Sequence, residues 1–152
     1  MIDISFKNMQ NSPLSNLFPH KFEIDGVKCN SMESFIQSLR AEDPTLQEKI
    51  CSEYSGAMAY RLRLLIGDWR KTGTIHWRSK EIVRDSDEYI SLITRAYDCL
   101  FEQNIVFKHV LLKNFTDKYF IHSTGCDDKK ETLLTEAEYR AQLNRLRKFK
   151  QF

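Results

Sequence analysis

The sequence predicts a compact, mainly helical α+β domain with a few short strands near its N-terminus and late in the chain. After residue 31, apolar residues recur three and four positions apart, which is typical of amphipathic helices. Before residue 31, and again near residue 120, short alternating segments bounded by turn residues indicate strands. The 152 residues contain no repeat or linker, so we expect a single domain over residues 1–152 with one core.

The N-terminal elements are predicted to be strands and turns. Residues 2–6 alternate between apolar and polar, as in a half-buried strand. Residues 11–13, Asn-Ser-Pro, indicate a turn. Phe22-Glu23-Ile24 leads into Asp25-Gly26, and the run from Val27 to Cys29 is predicted to be the returning strand of a hairpin.

Three helices are predicted to follow the hairpin. Ser31 is a suitable N-cap for a helix from residue 32 to about residue 41. Pro44 starts a short second helix, and a third is predicted over residues 55–65. Residues 66–80, with two glycines and two tryptophans, are predicted to form a loop.

The second half carries the strongest helical pattern. Asp85 or Ser86 is predicted to cap a long helix, and another helix follows it. The apolar face of the long helix is formed by Tyr89, Leu92, Ile93, Ala96, Tyr97, Leu100 and Phe101. Residues 119–122 indicate a short strand. Thr135, with Glu138 three residues later, predicts a capping box at the start of the last helix.

Composition and charge exclude several classes of protein. The net charge is only +2, and the basic and acidic residues are mixed, which argues against extensive contact with DNA. No apolar run approaches the ~18 residues of a membrane span, and the N-terminus lacks the form of a signal peptide. The cysteines are widely and irregularly spaced, which favours free thiols in a reducing compartment over a zinc site. We therefore expect a soluble cytoplasmic protein that needs no metal or cofactor.

Three groups of polar residues are candidates for chemistry. Glu33, in the opening turn of a helix, is either a glutamate that favours the helix dipole or a catalytic acid, base or nucleophile. The segment 122–128 contains an imidazole, hydroxyls and carboxylates, and is either a site or an ordinary polar loop. Trp77, followed by Arg84, could stack on a base or could simply be core packing.

Short motifs follow one another along most of the chain. Residues 15–37 contain Ser-Asn-Leu-Phe-Pro, a strand, an Asp-Gly turn and then Ser-Met-Glu-Ser-Phe-Ile-Gln, without a gap. Ala-x-Ala-x-Arg follows at residues 57–61, and further motifs fall at residues 75–77, 84–89, 96–112 and 122–135. In their order, these motifs resemble the NADAR family of ADP-ribose-type N-glycosidases.

The resemblance implies a mainly helical fold with short strands and a role in cleaving N-glycosidic bonds of ribose. Family members act on ADP-ribose attached to guanine, or on ribosylamino-pyrimidine intermediates of riboflavin synthesis. By resemblance, Glu33 takes the position of the family's essential glutamate, and Asp127 or Asp128 stands near its late catalytic aspartate. The substrate-binding residues implied here are Asn16, Arg40, Trp77, Arg84, His122, Ser123 and Gly125.

The sequence also departs from the family pattern. Lys129-Lys130 stands where many members have Trp-Gly, and Arg40 stands where many have a lysine seven residues after the glutamate. A lysine amine can form a Schiff base with an opened ribose, whereas an always-protonated arginine cannot.

The leading hypothesis is removal of ADP-ribose from ADP-ribosylated guanine, in a nucleic acid such as DNA or in a nucleotide. The alternatives are hydrolysis of riboflavin intermediates and non-catalytic binding of ADP-ribose-like nucleotides. In the leading hypothesis, Glu33, Trp77 and the 122–128 segment should line one pocket.

Overall fold

The computed structural model describes residues 2–3, 12–53, 66–113, 120–121 and 126–149. Five helices within these ranges form the larger part of the structure, and six short strands form three two-stranded sheets, which confirms the α+β class. The helices are α1 (Met32–Ser38), α2 (Pro44–Cys51), α3 (Asp87–Gln103), α4 (Ile105–Lys113) and α5 (Glu136–Phe149). The strands are β1 (Ile2–Asp3), β2 (Phe22–Ile24), β3 (Val27–Cys29), β4 (Thr74–Trp77), β5 (Lys80–Val83) and β6 (Phe120–Ile121). The helix predicted over residues 55–65 lies outside the described residues.

The predicted hairpin of β2 and β3 is confirmed. Asp25 and Gly26 have φ values of 50° and 81°, the left-handed conformation that a tight two-residue hairpin turn requires. The side chain of Gln103, at the end of α3, fixes the outer edge of β2. Its Oε1 accepts from the Glu23 N–H at 2.6 Å, and its Nε2 donates to the Glu23 carbonyl at 2.7 Å. The hairpin is thereby attached to the longest helix.

The prediction of a loop over residues 66–80 is wrong, because β4 and β5 form a second antiparallel hairpin there. Ile75 lies opposite Ile82, and both are buried. The turn between the strands is made by Arg78 and Ser79, whose φ values are 51° and 72°. Turns of this geometry are usually indicated by Asn or Gly. The Arg-Ser pair gives no such signal in the sequence.

Helix α1 ends at Ser38, earlier than the predicted residue 41. The N–H groups of Leu39, Arg40 and Ala41 each donate to the carbonyl three residues earlier, at 3.0–3.2 Å, so the chain tightens as it leaves the helix. The Leu39 carbonyl accepts from the His76 N–H of β4 at 2.8 Å. The second hairpin is therefore attached to the end of α1.

The predicted helix caps in the second half of the chain are confirmed. Ser86 caps α3, where its Oγ accepts from the Tyr89 N–H at 3.2 Å. Thr135 and Glu138 form the capping box at the start of α5. The Glu138 N–H donates to Thr135 Oγ1 at 3.0 Å, and the Thr135 N–H donates to Glu138 Oε1 at 2.8 Å. All seven residues predicted for the apolar face of α3 are buried. In the part of the chain that is described, no helix is both long and apolar enough to cross a membrane.

One buried side chain, Gln47 of α2, joins α1, α2 and β4. Its Nε2 lies 3.0 Å, 3.3 Å and 2.8 Å from the carbonyl oxygens of Ser38, Ala41 and His76. Its Oε1 accepts from the Arg78 N–H at 2.9 Å. The Ser38 carbonyl also accepts from the Ala41 N–H, whereas the Ala41 and His76 carbonyls and the Arg78 N–H find their partner in the amide. The amide thus satisfies backbone groups between elements that share no regular hydrogen-bond ladder.

We expect Gln47→Leu to lower the free energy of unfolding by about 2–4 kcal/mol, because the shape is nearly kept while several buried backbone groups lose their partner. Urea denaturation measures this difference. Gln103→Leu is the matched control, since its amide also bonds backbone but is exposed. Water can replace that amide, so the control should cost about 1 kcal/mol or less. Equal losses in the two variants would contradict the role given to Gln47.

Candidate active site

The candidate site begins with the way Glu33 is held in the first turn of α1. Ser31 caps the helix by accepting from the Ser34 N–H at 3.0 Å. The Glu33 N–H donates to the Asn16 carbonyl at 2.9 Å, so the preceding turn lies against the start of the helix. The backbone N–H of Glu33 is thus satisfied from outside α1, and its half-buried side chain is directed to another partner.

That partner is Gln37, one helical turn later. Gln37 Nε2 donates to Glu33 Oε1 at 2.8 Å. Burial raises the pKa of Glu33 above its ordinary value. The positive charge of Arg40 acts in the opposite direction, and so does the Gln37 hydrogen bond in this orientation, in which the amide nitrogen donates to the carboxylate. The carboxyl of Glu33 is therefore a stronger base than a solvent-exposed glutamate, although a cation stands close by.

Buried tyrosines from α3 and α5 hold the turn that supports Glu33. The Tyr97 hydroxyl donates to Asn16 Oδ1 at 2.6 Å. The Tyr139 hydroxyl donates to the Leu14 carbonyl, and the two tyrosine rings lie 6.3 Å apart. Burial raises the pKa of both phenols, and the charge of Glu33 raises it further, so both stay neutral near neutral pH.

His20 also holds this turn in place. The His20 Nε2–H donates to the Pro13 carbonyl at 2.5 Å, and the imidazole packs against the rings of Phe18 and Phe107. Burial lowers the pKa of His20, which keeps the imidazole neutral in this environment.

Trp77 lies in the core behind α1. Its indole N–H donates to Asp25 Oδ2 at 2.8 Å, and its ring meets Phe35 edge-to-face with centroids 5.1 Å apart. Only 5% of Trp77 is exposed. Asp25 is further held by Arg95 at 2.7 Å, and that bond is the largest cause of the lowered pKa of Asp25. In this position Trp77 packs the second hairpin against α1 and does not offer its face to a base.

Arg84 is buried in a bidentate ion pair. Its two terminal nitrogens donate to the carboxylate oxygens of Glu138 at 3.1 Å and 2.5 Å, and its Nε donates to the Thr132 carbonyl at 3.1 Å. The guanidinium stacks over the ring of Tyr89 at 4.5 Å. Arg84 is 2% exposed, so its donors are directed to protein groups and not to a phosphate.

Asp127 lies at the start of α5, where its Oδ1 accepts from the Ala137 N–H at 3.0 Å. Asp128 similarly accepts from the Lys130 N–H at 2.9 Å. Both aspartates are exposed, and the contacts described for them tie them to their own segment. His122, Ser123 and Gly125 lie outside the described residues.

The structure thus brings Glu33, Asn16 and Arg40 together among the predicted residues, and it adds Gln37, Tyr97 and Tyr139. The contact between Gln37 and Glu33 could have been predicted from the sequence, because side chains four residues apart on a helix lie next to each other. Tyr97 was predicted on the apolar face of α3, but periodicity does not indicate the hydrogen-bond partner of its hydroxyl.

A separate surface lies between β3 and α2. It is an open groove of about 500 Å³. Its lining residues are Gly26, Val27, Lys28, Thr45, Glu48, Lys49 and Ser52. None of the predicted site residues belongs to it.

Known proteins resemble this chain in sequence and in fold. The model of the family described as bacteriophage protein GP30.3 matches residues 8–148. An uncharacterized 17.1 kDa protein in the Gp30-rIII intergenic region of Enterobacteria phage T4 is 30% identical over 135 residues, which is 88% of each chain. The NMR structure of the E. coli protein YbiA superposes with a TM-score of 0.59 at 15% identity, covering 91% of this chain and 77% of that chain. At this identity, the likeness to YbiA concerns the fold.

Glu33→Gln should leave the protein as stable as the wild type at pH 8, or more stable by up to about 1 kcal/mol. The folded-state pKa of Glu33 is raised, so its contribution to stability is present below its ordinary value of 4.5 and is lost as pH rises through the raised value. The comparison is made by urea denaturation between pH 4 and pH 8.

Glu88→Gln is the matched control for this test. Glu88 is also the second residue of a serine-capped helix, but it is exposed and pairs with Lys80. Its substitution should cost about 0.3–1 kcal/mol at pH 8, as loss of a favourable dipole interaction does. If Glu33→Gln costs as much at pH 8 as Glu88→Gln, Glu33 is an ordinary helix-stabilising glutamate.

Arg84→Ala should lower the free energy of unfolding by about 3–5 kcal/mol, because it leaves the Glu138 carboxylate buried without its partner. Lys80→Ala, which breaks the exposed pair with Glu88, should change it by about 0.5 kcal/mol or less. Chemical denaturation of both variants measures the contrast. A loss near 0.5 kcal/mol for Arg84→Ala would show that its ion pair is not structural.

Proposed function

The chain belongs to the bacteriophage protein GP30.3 family, and it has the fold of the NADAR protein YbiA. On these grounds we propose that it is an N-glycosidase. The bond hydrolysed joins the anomeric carbon of a ribose to a nitrogen of a base. The leading substrate is ADP-ribosylated guanine, in a nucleic acid or a nucleotide. One observation carries the proposal. Glu33, at the position matching the family's glutamate, is half-buried with a raised pKa and a fixed orientation.

Hydrolysis of such a bond passes through an oxocarbenium-like transition state. An ionised Glu33 beside the ribose would stabilise the positive charge that develops on the sugar. The carboxylate would also take a proton from the attacking water as the oxygen of that water bonds to the anomeric carbon. The electron pair of the broken bond goes to the base nitrogen, which takes up a proton, and Glu33 returns its own to solvent.

A raised pKa suits this role because a general base is most effective when its pKa approaches the working pH. A fixed orientation suits it as well, since small displacements of a catalytic group are costly. Gln37 supplies the orientation through its 2.8 Å hydrogen bond.

Two neighbours of Glu33 provide groups for the rest of the nucleotide. Arg40, half-buried at the end of α1, carries a guanidinium that can bind phosphate oxygens. Because Tyr97 fixes the Asn16 side-chain oxygen, the Asn16 amide nitrogen is the group available to donate to a ribose hydroxyl. We do not extend the proposal to Trp77 and Arg84, since both are buried and bonded to protein groups.

The late segment completes the proposal. We assign Asp127, with His122, Ser123 and Gly125, to the ribose hydroxyls and to protonation of the leaving base. Asp127 is exposed, so its carboxyl is accessible to a ribose hydroxyl of a bound substrate.

A second candidate is non-catalytic binding of ADP-ribose-like nucleotides. Arg40 favours it, because an arginine replaces the lysine amine with which many members of the NADAR family can attack an opened ribose. In the binding hypothesis, the arginine would hold phosphate and Glu33 would accept from a hydroxyl.

The assay that separates these functions uses an oligonucleotide carrying ADP-ribosylated guanine, the corresponding nucleotide, and a free ribosylamino-pyrimidine phosphate. Mass spectrometry follows the released ribose product. We expect release of ADP-ribose, and we expect Glu33→Gln to slow it by at least about 100-fold while Glu88→Gln stays near the wild-type rate. Retention of the ligand without turnover supports the binding hypothesis. Near-wild-type turnover by a folded Glu33→Gln variant would remove Glu33 from the mechanism.

A further inference from the structure

Of the two polar atoms in the side-chain amide of Gln37, the nitrogen makes a hydrogen bond and the oxygen does not, as far as the described residues show. The nitrogen donates to Glu33 Oε1 at 2.8 Å, and the oxygen is buried. Gln37 as a whole is 5% exposed. A buried amide oxygen left without a partner is destabilising, so an apolar side chain at this position would be more favourable if stability alone mattered.

The Gln37 amide can make a hydrogen bond to Glu33 in either of two orientations. In the orientation observed, the nitrogen donates to an ionised carboxylate. After rotation by half a turn about the last side-chain torsion, the oxygen would face Glu33 and accept from a protonated carboxyl. Either orientation makes one hydrogen bond to Glu33 and leaves the other amide atom against the core. No hydrogen bond from the described residues to the oxygen has to break for the rotation to occur.

We propose that the Gln37 amide reorients with the protonation state of Glu33, donating to the carboxylate and accepting from the carboxylic acid. This inference rests on the proposed function only where it makes Gln37 a positioning residue for hydrolysis. Glu33 takes a proton from water in that reaction and must release it before the next turnover. A partner that could only donate would stabilise the ionised form alone and oppose the transfer.

The other titratable groups around Glu33 keep their charge state while it titrates. Arg40 faces it from the end of α1 and stays protonated. Tyr89 and Tyr97 face it from α3, and Tyr139 faces it from α5; burial raises the pKa of each phenol. These phenols and the guanidinium therefore do not exchange a proton near neutral pH.

The inference is tested by carbon-13 NMR titration of the Glu33 carboxyl and the Gln37 side-chain carbonyl. In the wild type, the Gln37 carbonyl resonance should move through the same pH midpoint as Glu33, because the carbonyl begins to accept when Glu33 is protonated. A Gln37 resonance that stays constant through the Glu33 transition overturns the inference. This arm needs no variant, so it does not depend on whether a substituted protein folds.

The second arm compares the wild type with Gln37→Met, which keeps length and removes both the donor and the acceptor. If the amide serves both forms of Glu33, the Glu33 midpoint should shift by less than about 0.3 pH units, since both forms lose a similar hydrogen bond. A one-sided donor predicts instead a rise of about 1 unit, and that result overturns the inference. Gln103→Met, at the exposed amide on α3, should leave the midpoint unchanged.

The enzymatic activity of the Gln37→Met variant is a separate test of the positioning role. If the N-glycosidase function holds, Gln37→Met should lower kcat by about 10-fold with little change in KM, because Glu33 loses its orientation and not its substrate contacts. Absence of turnover in the wild type would count against the proposed function and leave the NMR result standing. Wild-type kcat in Gln37→Met would overturn the positioning role.

Discussion

The candidate site depends on one constraint, which is that the carboxylate of Glu33 is held in the first turn of α1 and largely shielded from water. Glu33 is held there because the preceding turn lies against α1, where the Asn16 carbonyl takes the Glu33 N–H. That turn is fixed in its own right by hydroxyls of Tyr97 and Tyr139, which come from α3 and α5. The same packing that positions the carboxylate also desolvates it, so its raised pKa is a direct consequence of the fold.

The C-terminal end of α1 is held by hydrogen bonds to α2 and β4. Gln47 joins the end of α1 to α2 and β4, and the His76 N–H of β4 bonds the Leu39 carbonyl. With both ends fixed, a short helix can present Glu33 and Gln37 in a constant relative position. Desolvating the Glu33 carboxylate costs stability, and such costs are common where a structure serves chemistry.

Local patterns predicted much of this structure. The Asp25-Gly26 turn, the serine cap of α3 and the Thr135–Glu138 capping box are each determined by neighbouring residues, and each is present. The second hairpin was missed because its turn, Arg78-Ser79, is enforced by strand pairing and not by residues that favour left-handed backbone. The buried ion pair of Arg84 could not be predicted from local patterns either, because its partner Glu138 lies 54 residues away in the sequence. Long-range pairing decides whether a charged residue is structural or available to a ligand.

Titration of ADP-ribose into isotope-labelled protein, followed through the NMR resonances of Asn16, Glu33, Gln37 and Arg40, shows directly whether the ligand binds at Glu33. We expect these four residues to shift together and saturate, with the side-chain amide of Gln37 among the largest changes. The open groove beside α2 provides the internal comparison, through Lys28 and Lys49. Saturable shifts confined to that groove, with the residues around Glu33 unchanged, would contradict the site assigned here.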